Sequence, residues 1–217
     1  MAEILIGVAA GGAAAVLFHI AAAAVERKKD FSPARKGIFI AEPREVLLSV
    51  LLFAAVAVCS WLHYGDILQM ALDFVLLTGL TVLCLSDLRF YWVPGRLLLA
   101  MAVFWLAAVA AAVLFSSVEA GLAVLFRGLG GSLFSGVIFL VLYLVTRGQL
   151  GGGDVKLSFI LGLYLSVSRI LPALLFGSVL SCVYALVQIA RKKMSWKDGM
   201  PMVPFLWLGT VITVLLS

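Results

Sequence analysis

Apolar runs close to the length of a bilayer's hydrocarbon core recur along this chain, and they decide most of what it can fold into. A helix needs about 20 apolar residues to cross that core. The chain has 217 residues, of which 64% are hydrophobic and 12% charged, against roughly 45–50% and about 25% in soluble domains. A water-soluble fold could not hide so much apolar side chain, so a bilayer must be its solvent. The period-2 alternation of a membrane barrel is absent, which makes the spans helical. Eight spans are predicted, at about 3–25, 45–63, 67–86, 96–115, 128–146, 154–167, 169–190 and 202–216. Punctuation separates them: Pro33 and Pro43, Tyr64-Gly65-Asp66, Pro94-Gly95, the glycines before Asp154, and Asp198-Gly199 with Pro201. Pro172 falls near the start of the seventh span, where a helix tolerates it best. The segment 117–127 reads as interfacial, leading into the fifth span.

The first run, Ile4 to Val25, follows Glu3 and precedes Glu26-Arg27-Lys28-Lys29. It reads as a retained helix with its N-terminus outside rather than as a cleavable signal peptide. With that orientation the inward loops are 26–44, 87–96, 147–156 and 191–201. They hold all of the 16 Lys and Arg residues except Arg127 and Arg169, as the positive-inside rule requires. The net charge of +5 is therefore a topology signal, and no nucleic-acid partner is expected; Arg191-Lys192-Lys193 is a loop anchor. Cys59, Cys84 and Cys182 stand singly in apolar segments, without the spacing of a metal site or a disulfide framework. His19 and His63 are lone histidines that suit packing or an interfacial hydrogen bond. No soluble domain or linker is visible. The whole chain reads as one membrane domain, with N-terminal helices and a short loop in 1–79 and a core in 80–217.

Ionisable side chains at membrane depth are costly and are functional candidates by default. Three need individual thought. Asp73 lies near the outer end of the third span, about 21 Å at helical rise from Asp87, too far to pair with it. It reads as a bundle-facing polar residue with a partner such as Thr or Ser. Asp87 lies at the inner end of that span and alone could be an interfacial acid paired with Arg89. Asp154 opens the sixth span after Gly151-Gly152-Gly153, where the helix dipole favours an acid. Their joint placement is what carries weight: the topology sets both at one depth on different helices. Two carboxylates meeting there can share a proton, since like charges a few Å apart resist double ionisation. The ionised one can take a proton from water while the other polarises a carbonyl. The glycines would let backbone approach closely. Lys156, two residues on, points about 200° away and suits snorkelling to the headgroups. Ser86 and Ser158 are placed to hydrogen-bond the aspartates.

Gly151-x-Gly153-Asp154, followed by Val155-Lys156-Leu157, resembles the GxGD signature of the prepilin peptidases, a family of membrane aspartic proteases. Asp87-Leu88-x5-Pro94 resembles the first catalytic aspartate of that family with its Ile-Pro turn, here Val93-Pro94. Pro201-Met202-Val203-Pro204-Phe205-Leu206 resembles its Pro-Phe-x-Pro-Phe-Leu stretch. Gly95 and Met202 depart from the usual Asn and Phe. The resemblance implies catalysis by Asp87 and Asp154, an active-site loop including Gly151, Gly153, Lys156 and Pro94, and no metal or organic cofactor. It implies prepilin or pseudopilin substrates, met in the bilayer at the cytoplasmic face of a bacterial inner membrane. Bifunctional members also methylate the new N-terminus and carry a long loop with two zinc-binding CxxC pairs. Here the corresponding loop, 26–44, is short and has no cysteine, so a peptidase without methyltransferase activity is expected. The alternative is a proton- or ion-coupled transporter using intramembrane carboxylates; it does not account for their shared face or their glycine context.

Overall fold

The computed structural model describes residues 67–90, 92–147, 150–192 and 200–216. The expected spans 3–25 and 45–63, the loop 26–44, His19, His63 and Cys59 lie outside the described residues. Those that are described form five helices and their connections: α1 (Ile67–Phe90), α2 (Gly95–Phe115), α3 (Val118–Val145), α4 (Gly152–Ala190) and α5 (Val203–Leu216). No strand occurs among them. Segments of α1 to α4 are long and apolar enough to cross a membrane; α5 is shorter. The chain divides into two compact units, residues 1–74 and 75–217, and α1 begins in the first and ends in the second. In the first, Asp73 is buried and accepts a hydrogen bond from Gln69 Nε2 at 3.0 Å, a neighbour on its own helix.

The second unit is built around α4, which packs on α2, α3 and α5. Small residues make this possible. The buried positions of α3 include Gly121, Gly128, Gly131, Ser132, Ser135 and Gly136, while Phe126, Leu129, Leu133, Leu140 and Leu144 are exposed. This inversion of a soluble helix is expected where lipid is as apolar as leucine and helices associate by close backbone contact. Gly131 and Gly162 meet so closely that a Cβ on either would fall on the other's carbonyl oxygen. Beside them Ser135 Oγ lies 2.7 Å from Ser158 O, and Tyr164 donates its hydroxyl to Met101 O of α2 at 2.7 Å. Further along, Gly209 of α5 lies against Ala173 and Gly177 of α4. The end of α1 completes the unit, meeting α2 at Gly79 and Met101 and α5 through Trp207 Nε1, which donates to Thr81 Oγ1 at 3.0 Å.

Two boundaries differ from the sequence reading. The segment 117–127, read as a lead-in to the fifth span, is its helical start: α3 runs unbroken from Val118. Ser117 caps it by accepting the Ala120 N–H at 3.1 Å, and Glu119 sits in the first turn, where the dipole favours an acid. The expected break between the sixth and seventh spans is Ser166, at φ 53° and ψ 177°, inside α4. That conformation is almost confined to glycine and costs about 1–3 kcal/mol. It divides α4 into helical segments 152–165 and 167–190, with Pro172 in the second turn of the latter.

Candidate active site

The site is assembled from the end of α1, the connection to α2, the start of α4 and the start of α5. Asp87 lies one turn from the end of α1 and is 6% exposed. Its Oδ2 accepts the backbone N–H of Val203 at 3.0 Å, and the backbone of Met202 contributes a further hydrogen bond. A carboxylate on one helix thus satisfies donors at the start of another, where the first N–H groups have no partner of their own and the dipole favours negative charge.

After α1 the chain turns sharply. Ser86 Oγ donates to Trp92 O at 2.8 Å, tying the turn back onto the helix. Pro94 then starts α2: its φ is −70°, and its carbonyl accepts the N–H groups of Leu97 and Leu98. Proline also holds the preceding Val93 away from helical geometry. This turn is the surface on which α4 begins. A Cβ on Gly153 would come within 2.8 Å of Val93 Cβ, closer than two such carbons approach, so only glycine lets the first turn of α4 sit there.

Asp154 is the third residue of α4 and is half-buried. Gly151 is the N-cap and brings no side-chain cap of its own. The Asp154 carboxylate reaches back to the Gly151 backbone instead, the acid half of a capping box. A Cβ on Gly151 would stand 3.1 Å from Asp154 Oδ2, crowding that carboxylate; at Gly152 a Cβ would meet nothing. Asp87 and Asp154 are near enough for the charge of one to act on the other, and Cys84, one turn before Asp87, lies within the same field.

The residues singled out in the sequence are therefore placed as follows. Asp87 and Asp154 lie within reach of each other's charge; Gly151, Gly153 and Pro94 shape the backbone beside them. Lys156 is exposed. Ser86 and Ser158 do not bond the aspartates: Ser86 holds the turn, and Ser158 Oγ donates to Val155 O at 2.8 Å. Val93 and Val203 entered the sequence reading only within the Val93-Pro94 turn and the Pro201–Leu206 stretch, with no role of their own. Val93 contributes bulk and Val203 a backbone N–H, and neither has a side-chain signature. The one clue was Pro201 and Pro204 on either side of Met202-Val203. Among the described residues no group of three or more His, Cys, Asp or Glu side chains is gathered as a metal site would be.

A bundle of apolar helices with a carboxylate at one helix end, within the field of a second at a glycine-rich helix start, has a counterpart among known proteins. Residues 74–186 match the Type IV leader peptidase family, and the chain belongs to that family, as a multi-pass membrane protein. It is similar to a prepilin leader peptidase/N-methyltransferase of Bacillus subtilis (strain 168), with 27% identity over 173 residues. The alignment covers 80% of this chain and 65% of that protein, so the chain spans less than two thirds of its relative's length. No solved structure matches the chain. The family match takes in both aspartates and stops short of the Pro201–Leu206 stretch.

Proposed function

We propose that this protein is a membrane aspartic endopeptidase that removes the leader peptide from type IV prepilin or pseudopilin-like precursors. Asp87 and Asp154 form its catalytic pair, and the reaction takes place at the cytoplasmic face of a bacterial inner membrane. What supports this reading is that the carboxylates of α1 and α4 lie within reach of each other's charge, in a chain of the leader peptidase family. One carboxylate, ionised, takes a proton from water; the other, protonated, polarises the scissile carbonyl. The tetrahedral intermediate then collapses with protonation of the leaving nitrogen. The proposed topology has eight spans and an external N-terminus, which puts both aspartates at the inner face with nearly all of the basic residues. N-methyltransferase activity, part of the name of the Bacillus subtilis relative, is not assigned here. The loop 26–44 has no cysteine to build the zinc site that the bifunctional members carry there.

Purified protein in lipid with a synthetic prepilin tests this, leader removal being followed by gel shift and the new N-terminus by mass. Asp87→Asn and Asp154→Asn are each expected to lose about 10³-fold or more in rate, because an amide can neither accept nor deliver the proton. Asp73→Asn is expected to cleave. Cleavage surviving in both site variants would remove the protease reading and bring ion relay forward. A product lighter than its methylated form by one methyl group, in the presence of S-adenosylmethionine, is expected.

A further inference from the structure

The start of α5 is unusual in how its N–H groups are used. Met202 is its N-cap: the Met202 carbonyl accepts the N–H groups of Phe205 and Leu206 at 3.1 and 3.2 Å. Such a position ordinarily carries Ser, Thr, Asp or Asn, whose side chain serves the neighbouring donors. Met202 has no acceptor to offer, and Pro204 has no N–H at all. The first N–H inside the helix, that of Val203, is left, and Val203 is 0% exposed. It is directed at Asp87 Oδ2, 116 residues earlier in the chain.

A second tie fixes α5 against α1. Trp207 Nε1 donates to Thr81 Oγ1, so Thr81 pairs with Trp207 while Asp87 pairs with Val203, and the two helices run antiparallel. Thr81 is six residues from Asp87, about 9 Å, and Trp207 is four from Val203, about 6 Å. Two hydrogen bonds at two heights set the position of α5 along α1, and with it the place of the Val203 N–H. A group that only needed an acceptor would not require this alignment.

We propose that the backbone N–H of Val203 is a positioning group for Asp87: beside the Met202 hydrogen bond, it pins Oδ2 and so fixes the orientation in which the carboxyl exchanges a proton with water and Asp154. This rests on the reading of Asp87 as a member of the catalytic pair. Pro201 and Pro204 on either side keep these donors fixed, and Pro204 adds no N–H beyond those of Met202 and Val203. The Pro201–Leu206 stretch then acts through Asp87 rather than on substrate.

The test compares kcat and KM of the full chain in lipid, with a synthetic prepilin, for Val203→Pro, Val203→Ala, Trp207→Phe and Asp87→Asn. Proline at the first helical position suits the helix, since the N–H there has no partner within it, so Val203→Pro removes the donor and keeps most of the bulk. Val203→Ala removes bulk and keeps the donor. A hydrogen bond to a charged acceptor predicts kcat about 10- to 100-fold lower for Val203→Pro than for Val203→Ala, with KM alike within about twofold. Equal kcat in the two variants, both folded by thermal unfolding, would overturn the proposal. If Val203→Pro does not fold, Trp207→Phe decides. It lets α5 slide with its packing nearly intact, so a several-fold fall in kcat at constant KM supports the proposal and an unchanged kcat overturns it. Cleavage by Asp87→Asn would instead dismiss the catalytic pair itself, whatever the Val203 variants do.

Discussion

Two helices begin at the site, and they begin in opposite ways. α4 opens on three glycines and α5 between two prolines. At α4 the difficulty is room. The helix must start against the Val93 turn, and its own acid must fold back beside the N-cap, so side chains are missing at Gly151 and Gly153. At α5 the difficulty is direction. The N–H groups of Met202 and Val203 must be offered to a carboxylate on another helix, so the chain is stiffened by a proline on either side. Glycine gives access and proline gives aim, and each carboxylate is held by backbone from whichever device stands next to it. The difference also means that substitutions at the two starts should fail in different ways.

At α4 the largest effect is expected from Gly153→Ala. Its Cβ would press on Val93 Cβ, a rigid point rather than a yielding side-chain tip. The start of α4 must move, and a displacement approaching 1 Å costs about 10²-fold in rate; prepilin cleavage at saturating substrate measures it. Gly151→Ala should cost less, about tenfold, because the carboxylate it crowds at 3.1 Å can shift by a few tenths of an ångström. Pro204→Ala at α5 should appear in stability before rate, with about 0.4–1 kcal/mol lost through a freer unfolded chain, read by thermal unfolding in detergent. Gly152→Ala is the smallest and has the opposite sign. Its Cβ meets nothing, so cleavage should be unchanged and stability raised by about 0.5 kcal/mol. If Gly152→Ala and Gly153→Ala behaved alike, the glycines would be a simple flexible turn and the contrast between the two helix starts would dissolve.

The site was legible in the sequence to the extent that it is written in side chains. Asp87 and Asp154 stand out because so few acids enter apolar segments, and Gly151 and Gly153 because they flank one of them. The donor that holds Asp87 was not legible, since every residue but proline has an N–H and nothing at Val203 marks its own. Ser86 and Ser158 illustrate the same limit: hydroxyls near an acid in sequence found carbonyls closer at hand. Among the helices, 67–86 and 96–115 were read to within a few residues of α1 and α2. The start of α3 was missed by ten residues because Glu119, Gly121, Arg127 and Gly128 dilute its apolar character. Two of these are packing positions: Gly121 receives Val113, and Gly128 receives Trp105. A small residue facing a neighbouring helix and a small residue in a loop look the same in one dimension.

The stretch 152–165, which ends at the Ser166 kink, is 14 residues long. At helical rise that is about 21 Å, against a hydrocarbon thickness of about 30 Å. Helices that fall short draw the bilayer thinner around them. A protease that must bring water to a peptide beside lipid benefits from that mismatch. Around such a short segment the headgroup layer is expected to dip, leaving the solvent the reaction consumes less oil to cross.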